Sequence, residues 1–220
     1  MRPVLVVTGT KREGAVLQGG GAMVIAGGGA PDRLAAELAR LAPQAAGVIS
    51  FGMAGALDPG LRLGDWLIGD RLVGNFSCPC DPAWTSALVR LLPGARLGTA
   101  YCDGRLIADP AEKRRLAETS GALAADMESH IAARVAAEAG LPFALLRCVS
   151  DEAGAALPPA IAVAMRPDGG LAVGAMLASL LAQPGQFPDL IATGRRFARA
   201  YAAFKDGARA AGPRLGFDLR

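Results

Sequence analysis

Short apolar runs along the chain alternate with longer amphipathic stretches, and glycines stand at the exits of the runs. Val4–Val7, Ala22–Ala26 and Gly47–Phe51 read as buried strands. They end in Thr8-Gly9-Thr10, Gly27-Gly28-Gly29 and Gly52-Met53-Ala54-Gly55. Leu63–Ile68 and Arg71–Val73 read as two more strands, split by Gly69-Asp70. Helical periodicity covers Asp32–Leu41, opened by Pro31, and Pro82–Leu92. It resumes over Pro110–Thr119, with Asp109 as N-cap, and over Met127–Ala139, stopped by Gly140. Ala95–Cys102, Leu123–Asp126 and Pro142–Val149 are the intervening strands. Helices over Gly170–Leu181 and Phe187–Ala208 close the chain.

Strand–helix alternation with glycines at the strand exits predicts an α/β fold, a mixed, largely parallel sheet covered by helices. Ligands of such sheets sit at the carboxyl ends of strands. No repeat and no long linker divides the 220 residues, so one domain is expected. The longest apolar stretch, Leu171–Ala182, is too short to cross a membrane, and no signal peptide is visible, which predicts a cytoplasmic protein.

Composition narrows the chemistry. With one histidine, His130, a multi-histidine metal site is excluded. Cys78, Cys80, Cys102 and Cys148 read as reduced thiols, and Cys78-Pro79-Cys80 lacks the spacing of a zinc or redox motif, so no metal is expected. The net charge of +3 and an aromatic content of 5% argue against a nucleic-acid partner. The glycine clusters match neither a dinucleotide fingerprint nor a Walker loop, so no cofactor is predicted.

The strand exits carry three carboxylates far apart in sequence: Glu13, Glu128 and Asp151. Two of them have a structural alternative. Asp151 could cap a turn, and Glu128 could complement a helix dipole. Asp126 reads as a cap. Arg147, inside an apolar strand, reads as a buried ion-pair partner of one of these acids. His130 reads as a hydrogen-bonded structural histidine.

Val48-Ile49-Ser50-Phe51-Gly52-Met53-Ala54-Gly55-Ala56-Leu57, followed by Leu63-Gly64-Asp65-Trp66-Leu67-Ile68, resembles the central signature of the purine nucleoside phosphorylase and methylthioadenosine/S-adenosylhomocysteine nucleosidase superfamily. Asp126-Met127-Glu128 resembles its ribose-binding motif, and Arg147-Cys148-Val149-Ser150-Asp151 the motif that carries its catalytic acid. Order and spacing agree over about Val4–Gly154. The opening Pro3–Gly9, Leu157-Pro158-Pro159, Arg166-Pro167-Asp168-Gly169 and the basic C-terminal helix are similar to the hopanoid-associated phosphorylases, which are linked to adenine removal from adenosylhopane.

The resemblance implies a single-domain, three-layer αβα sandwich and cleavage of the N-glycosidic bond of an adenine nucleoside, by phosphate or water. It implies Asp151 as general acid toward purine N7, and Glu128 as acceptor for the ribose hydroxyls. Met127 would pack on the sugar, Ser150 would orient Asp151, and Glu13 would activate water. Gly52, Met53 and Ala54 would line the sugar end, and Leu106 and Ile107 the base. A methylthioadenosine/S-adenosylhomocysteine-type nucleosidase and a nucleoside-binding sensor without catalysis are the alternatives, and a homo-oligomer is implied. Two departures weaken a role for phosphate as co-substrate: Met53 replaces a small polar residue, and the phosphorylase-type G-D-P-x-R loop is absent, leaving Lys11 and Arg12 as the nearby cations.

The charge is uneven. Residues 195–220 hold seven basic and two acidic side chains, so that segment is +5 and the remainder −2. Leu190, Ile191, Phe197, Tyr201 and Phe204 fall on one helical face, opposite Arg195, Arg196 and Arg199. This pattern predicts a core-packing helix with a basic outer face, and leaves peripheral contact with anionic lipid as a second reading.

Overall fold

The computed structural model describes residues 1–17, 20–28, 30–158 and 187–220. The expected helix at 170–181, the segment 166–169, Pro159 and Gly29 lie outside them. Eight strands form one mixed sheet: β1 (Val4–Thr8), β2 (Ala22–Ala26), β3 (Gly47–Ala56), β4 (Trp66–Gly74), β5 (Cys78–Pro79), β6 (Arg96–Cys102), β7 (Ala124–Asp126) and β8 (Phe143–Asp151). Five of the eight pairings are parallel. β1, the sequence Val-Leu-Val-Val-Thr, is buried along its whole length. Its alternate residues serve opposite faces, as the two-residue period of a strand requires.

Leu5 and Val7 join a core with Leu34 and Leu38 of α2 (Pro31–Leu41) and with Ile131 and Ala132 of α5 (Ser129–Glu138). Val4 and Val6 join a second core with Trp84 and Leu88 of α3 (Pro82–Leu91) and with Phe204 and Ala208 of the last helix, α6 (Phe187–Ala211). The sheet is thus the middle of three layers. Local signals set the helix ends: Asp81 accepts from Trp84 N ahead of α3, Asp109 from Ala111 N ahead of α4 (Pro110–Ser120), and Gly121 closes α4 in the left-handed conformation. No described helix is long and apolar enough to cross a membrane.

The structure sharpens three expectations. The strands expected on either side of Gly69-Asp70 are one strand, β4, whose register against β6 skips Asp70 as a bulge. The third strand runs on through Gly52–Ala56, because β8 pairs with it in parallel and β7 antiparallel as far as Ala56. Pairing also closes a ring, β3–β8–β4–β6–β7 and back to β3. Flanking β3 with β7 and β8 gathers three distant segments at one mouth.

The aromatic face of α6 packs inward as expected, but from Phe197 onward. Ala200, Phe204, Ala208 and Ala211 are buried, whereas Ile191 is exposed; the side chain of Leu190 lies outside the described residues. Phe204 stacks on Phe51, with ring centres 4.8 Å apart, and Trp66 fills the space beside Gly207. Arg195, Arg196 and Arg199 face outward. Arg214 is buried and paired with Asp218, so the basic tail is partly neutralised within the fold.

Candidate active site

At the exit of β1, Thr10 caps a single-turn helix, α1 (Lys11–Gly14), through a reciprocal capping box. Thr10 Oγ1 accepts from Glu13 N, and Glu13 Oε2 accepts from Thr10 N at 2.7 Å. The other oxygen, Glu13 Oε1, accepts from Met53 N at 2.8 Å, across to the end of β3. Glu13 is buried, and burial raises its pKa against the opposing pull of the Met53 amide, Arg147 and Thr10.

Glu128 follows β7. Its neighbour Asp126 caps α5: Oδ1 accepts from Glu128 N at 2.9 Å and from Ser129 N at 2.8 Å. Burial pushes the Glu128 carboxyl up to about 8; Asp126 and Glu13 add to the shift and Arg147 opposes it. Both acids lean on glycines. A Cβ at Gly9 would stand 3.1 Å from Glu13 Oε2 and 3.4 Å from Glu128 Oε2, so the two carboxylates face one backbone position. A Cβ at Gly27 would stand 2.6 Å from Glu128 Cγ. Such an atom cannot swing aside as a side-chain tip can. Gly27→Ala is expected to destabilise the fold by about 1–3 kcal/mol, measured by urea denaturation; an unchanged midpoint would mean that Glu128 yields freely.

Two amides of the second glycine cluster are committed within the fold. Gly27 N donates to Thr8 O and Gly28 N to Gly9 O, tying the β2 exit to the β1 exit. Gly27 is instead the space that admits Glu128.

Beneath these acids lies Arg147, fully buried on β8 opposite Gly52. It pairs with Asp126 at 3.2 Å and donates to Ser50 Oγ and Ser129 Oγ. Burial works against its charge, but Asp126, Glu128 and Glu13 outweigh that and bind its proton more firmly than usual. This is the ion-pair role expected of it. His130 is likewise structural, with Nδ1 3.1 Å from the buried Cys102 sulfur.

Asp151 ends β8 beside Gly55, where a Cβ would lie 2.9 Å from Asp151 Oδ2. Ser150 Oγ lies 2.7 Å from Asp151 Oδ1 and 3.1 Å from Ala54 O. Asp151 Oδ2 is 2.5 Å from Nζ of Lys113, a fully buried residue of α4 that also donates to Glu152 O and Ala155 O. Nothing in the sequence motifs singled out Lys113. The available signal was its spacing, three residues before the buried Leu116 on the same helix face.

Met53 and Gly55 are the half-buried positions at the end of β3, between buried Gly52, Ala54 and Ala56. Met127 is half-buried beside Glu128. Leu106 is half-buried too, but Ile107 is not placed as a base contact: its side chain packs in a small core with Leu57, Leu116 and Ala125. The stretch from Gly52, against Glu13, to Gly55, against Asp151, is three residues of strand, about 10 Å. Two carboxylates stand at one end of this span and a third, with its lysine, at the other.

A family model described as "Phosphorylase superfamily" matches residues 3–166. No curated protein matches the chain by sequence. Among solved structures, a Streptococcus pyogenes S-adenosylhomocysteine nucleosidase is 18% identical; the match covers 92% of this chain and 95% of that one, with a TM-score of 0.64. A Helicobacter pylori methylthioadenosine/S-adenosylhomocysteine nucleosidase mutant, solved with 5′-methylthioadenosine in its active site, is 14% identical over 94% of this chain and 100% of that one, with a TM-score of 0.63. A futalosine hydrolase mutant from the same organism is 15% identical over 69% and 89%, with a TM-score of 0.59.

Proposed function

The chain belongs to the phosphorylase superfamily, and from this premise we propose that it hydrolyses the N-glycosidic bond of an adenine nucleoside, with water as the nucleophile. The observation that carries the reading is the arrangement of acids along the end of β3: Glu13 and Glu128 over the Gly9–Gly52 end, Asp151 over Gly55. A span of about 10 Å matches a nucleoside laid along the strand, with ribose at the paired carboxylates and the base at Asp151.

In this reading the ionised Glu128 accepts hydrogen bonds from the ribose 2′- and 3′-hydroxyls. Asp151 protonates purine N7 as the C1′–N9 electron pair passes to the base. The sugar becomes oxocarbenium-like, and water adds to C1′. Glu13 takes the water proton. Its carboxylate keeps acceptor capacity beyond the Thr10 and Met53 bonds, and a raised pKa makes it a stronger base than an exposed carboxylate.

Water is favoured over phosphate by the charges at the sugar end. Glu13, Glu128 and Asp126 surround Arg147, whose guanidinium is committed to Asp126 and two hydroxyls. The Met53 amide, which an anion could use, is taken by Glu13. The Arg12 guanidinium stacks on Tyr201, 4.2 Å from the ring centre. A phosphate dianion placed here would meet carboxylates.

Adenine release from methylthioadenosine, adenosine and adenosylhopane, each with and without phosphate, tests the proposal. The last substrate is the one the subfamily resemblance implies. Release that requires phosphate would overturn hydrolysis, and release from none of the three would favour a sensor.

The pH dependence has a definite sign. Free Glu128 holds a proton up to about pH 8, and the ribose diol binds its ionised form. The kcat/KM value is therefore expected to rise with pH along a limb with a midpoint near 8, by about tenfold per unit on the steep part; Glu128→Gln should abolish this limb. The same proton is lost at ordinary carboxylate pH in the unfolded chain. Protein stability should therefore fall as pH rises from about 5 to 8, and Glu128→Gln should flatten that slope.

A further inference from the structure

We infer that Lys113 is a positioning residue for proton delivery: its buried ammonium selects which oxygen of Asp151 carries the proton and stabilises the carboxylate left behind. The inference rests on the reading of Asp151 as the acid, and goes beyond it.

A count of protons leads there. Ser150 Oγ is within hydrogen-bonding distance of both Ala54 O and Asp151 Oδ1. A hydroxyl has one proton, and the Ala54 carbonyl only accepts. Both contacts become full hydrogen bonds when Asp151 is protonated on Oδ1: the carboxyl donates to Ser150 Oγ, and the Ser150 hydroxyl donates to Ala54 O. Oδ2 is closed to the proton by Lys113. An ammonium has three N–H groups and no acceptor, and all three have partners in Asp151 Oδ2, Glu152 O and Ala155 O.

The surroundings of Asp151 are otherwise simple. β3 brings Gly55 and the Ala54 carbonyl, β8 brings Ser150, and α4 brings Lys113, the charged side chain bonded to it. Lys113 also fastens the loop after β8. Its bonds to the Glu152 and Ala155 carbonyls act together with Leu157 N donating to Ala108 O, just ahead of α4.

When a nucleoside is present, the Oδ1–H turns from Ser150 to N7. N7 gains the proton, Asp151 becomes a carboxylate, and the C1′–N9 electron pair goes to the departing base. The Lys113 ammonium then faces a full negative charge that was absent in the ground state. A fixed cation aimed at charge that develops during the step lowers the barrier, and in a dry site this effect is large. A wholly buried ammonium is costly unless its N–H groups find acceptors, and here Asp151 Oδ2 and the Glu152 and Ala155 carbonyls supply all three.

The test is the pH profile of kcat for adenine release by the intact protein, in Lys113→Met, Lys113→Arg, Ser150→Ala and Asp151→Asn. Lys113→Met is expected to lower kcat by about 10²-fold and to move the alkaline limb up by about one pH unit. Lys113→Arg is expected to restore the limb. Ser150→Ala, which removes the acceptor for Oδ1–H, is expected to move the limb the opposite way. If Lys113→Met does not fold, the Arg and Ala variants still decide: a limb displaced by Lys113→Arg, or unmoved by Ser150→Ala, overturns the inference. So does an unmoved limb in Lys113→Met, because a merely structural lysine would alter stability without shifting the titration. If Asp151→Asn retains full activity, the reading of Asp151 itself fails. If Asp151→Asn is inactive while the limb is unmoved in the other variants, only the role of Lys113 fails.

Discussion

Asp151→Asn is expected to lower kcat for adenine release by about 10²–10⁴-fold, with little change in KM. An asparagine keeps the size of the side chain and an oxygen for the Lys113 ammonium, but has no proton to transfer. A purine leaves as a neutral species only if N7 is protonated, so the deficit should fall on the bond-breaking step. A substrate whose leaving group departs as a stable anion, such as a nitrophenyl riboside, should be much less affected. Steady-state kinetics on both substrate types measure this. A variant within tenfold of the parent on a natural nucleoside would exclude Asp151 as the acid.

Arg147→Met is expected to cost about 3–5 kcal/mol of folding stability. The guanidinium is buried against Asp126, Ser50 and Ser129, and Asp126 is itself buried while capping α5. Removing Arg147 leaves a carboxylate without its cation and two hydroxyls without their donor, away from water. Urea denaturation gives the cost directly, and a loss below about 1 kcal/mol would exclude a stabilising role for the pair. Asp126→Asn retains an oxygen to cap α5 and discards the charge. In the Arg147→Met background it should therefore recover part of the loss, a coupling that a double-mutant cycle reads. Because β8 carries Arg147 and Asp151 four residues apart, weakening this pair should also loosen the acid at the strand end.

Much of the fold was legible in the chain. The apolar run of β1, the Pro-led helices α3 and α4 and the Asp109 cap depend on local physical chemistry, and they lie within a residue or two of expectation. Where expectation and structure part, distant pairing is the cause. Gly69-Asp70 looks like a break because glycine and aspartate disfavour strands. β6 pairs with β4 on both sides of this dipeptide, β8 pairs with it up to Ile68 and β5 from Arg71, and the bulge absorbs the extra residue. The end of β3 looks like a glycine loop until β7 and β8 supply its hydrogen-bonding partners.

The candidate site divides the same way. The motifs placed Glu13, Glu128, Ser150 and Asp151 at strand exits. No motif could say that Gly27 gives its Cβ space to Glu128, that Ile107 is spent on packing, or that Lys113 meets Asp151 from a helix that reads as polar and exposed.

The sequence by itself determined most of the described strands and helices, the family signature, and the chemical types available: carboxylates and a single histidine. These follow from periodicity, capping and composition, which act over a few residues. The tertiary structure alone decided which carboxylates face one backbone position, how far apart they stand, and which cation each one faces. Those are matters of distance and dielectric. The closed ring of strands brings together groups more than a hundred residues apart in the chain and removes the water that would otherwise screen them.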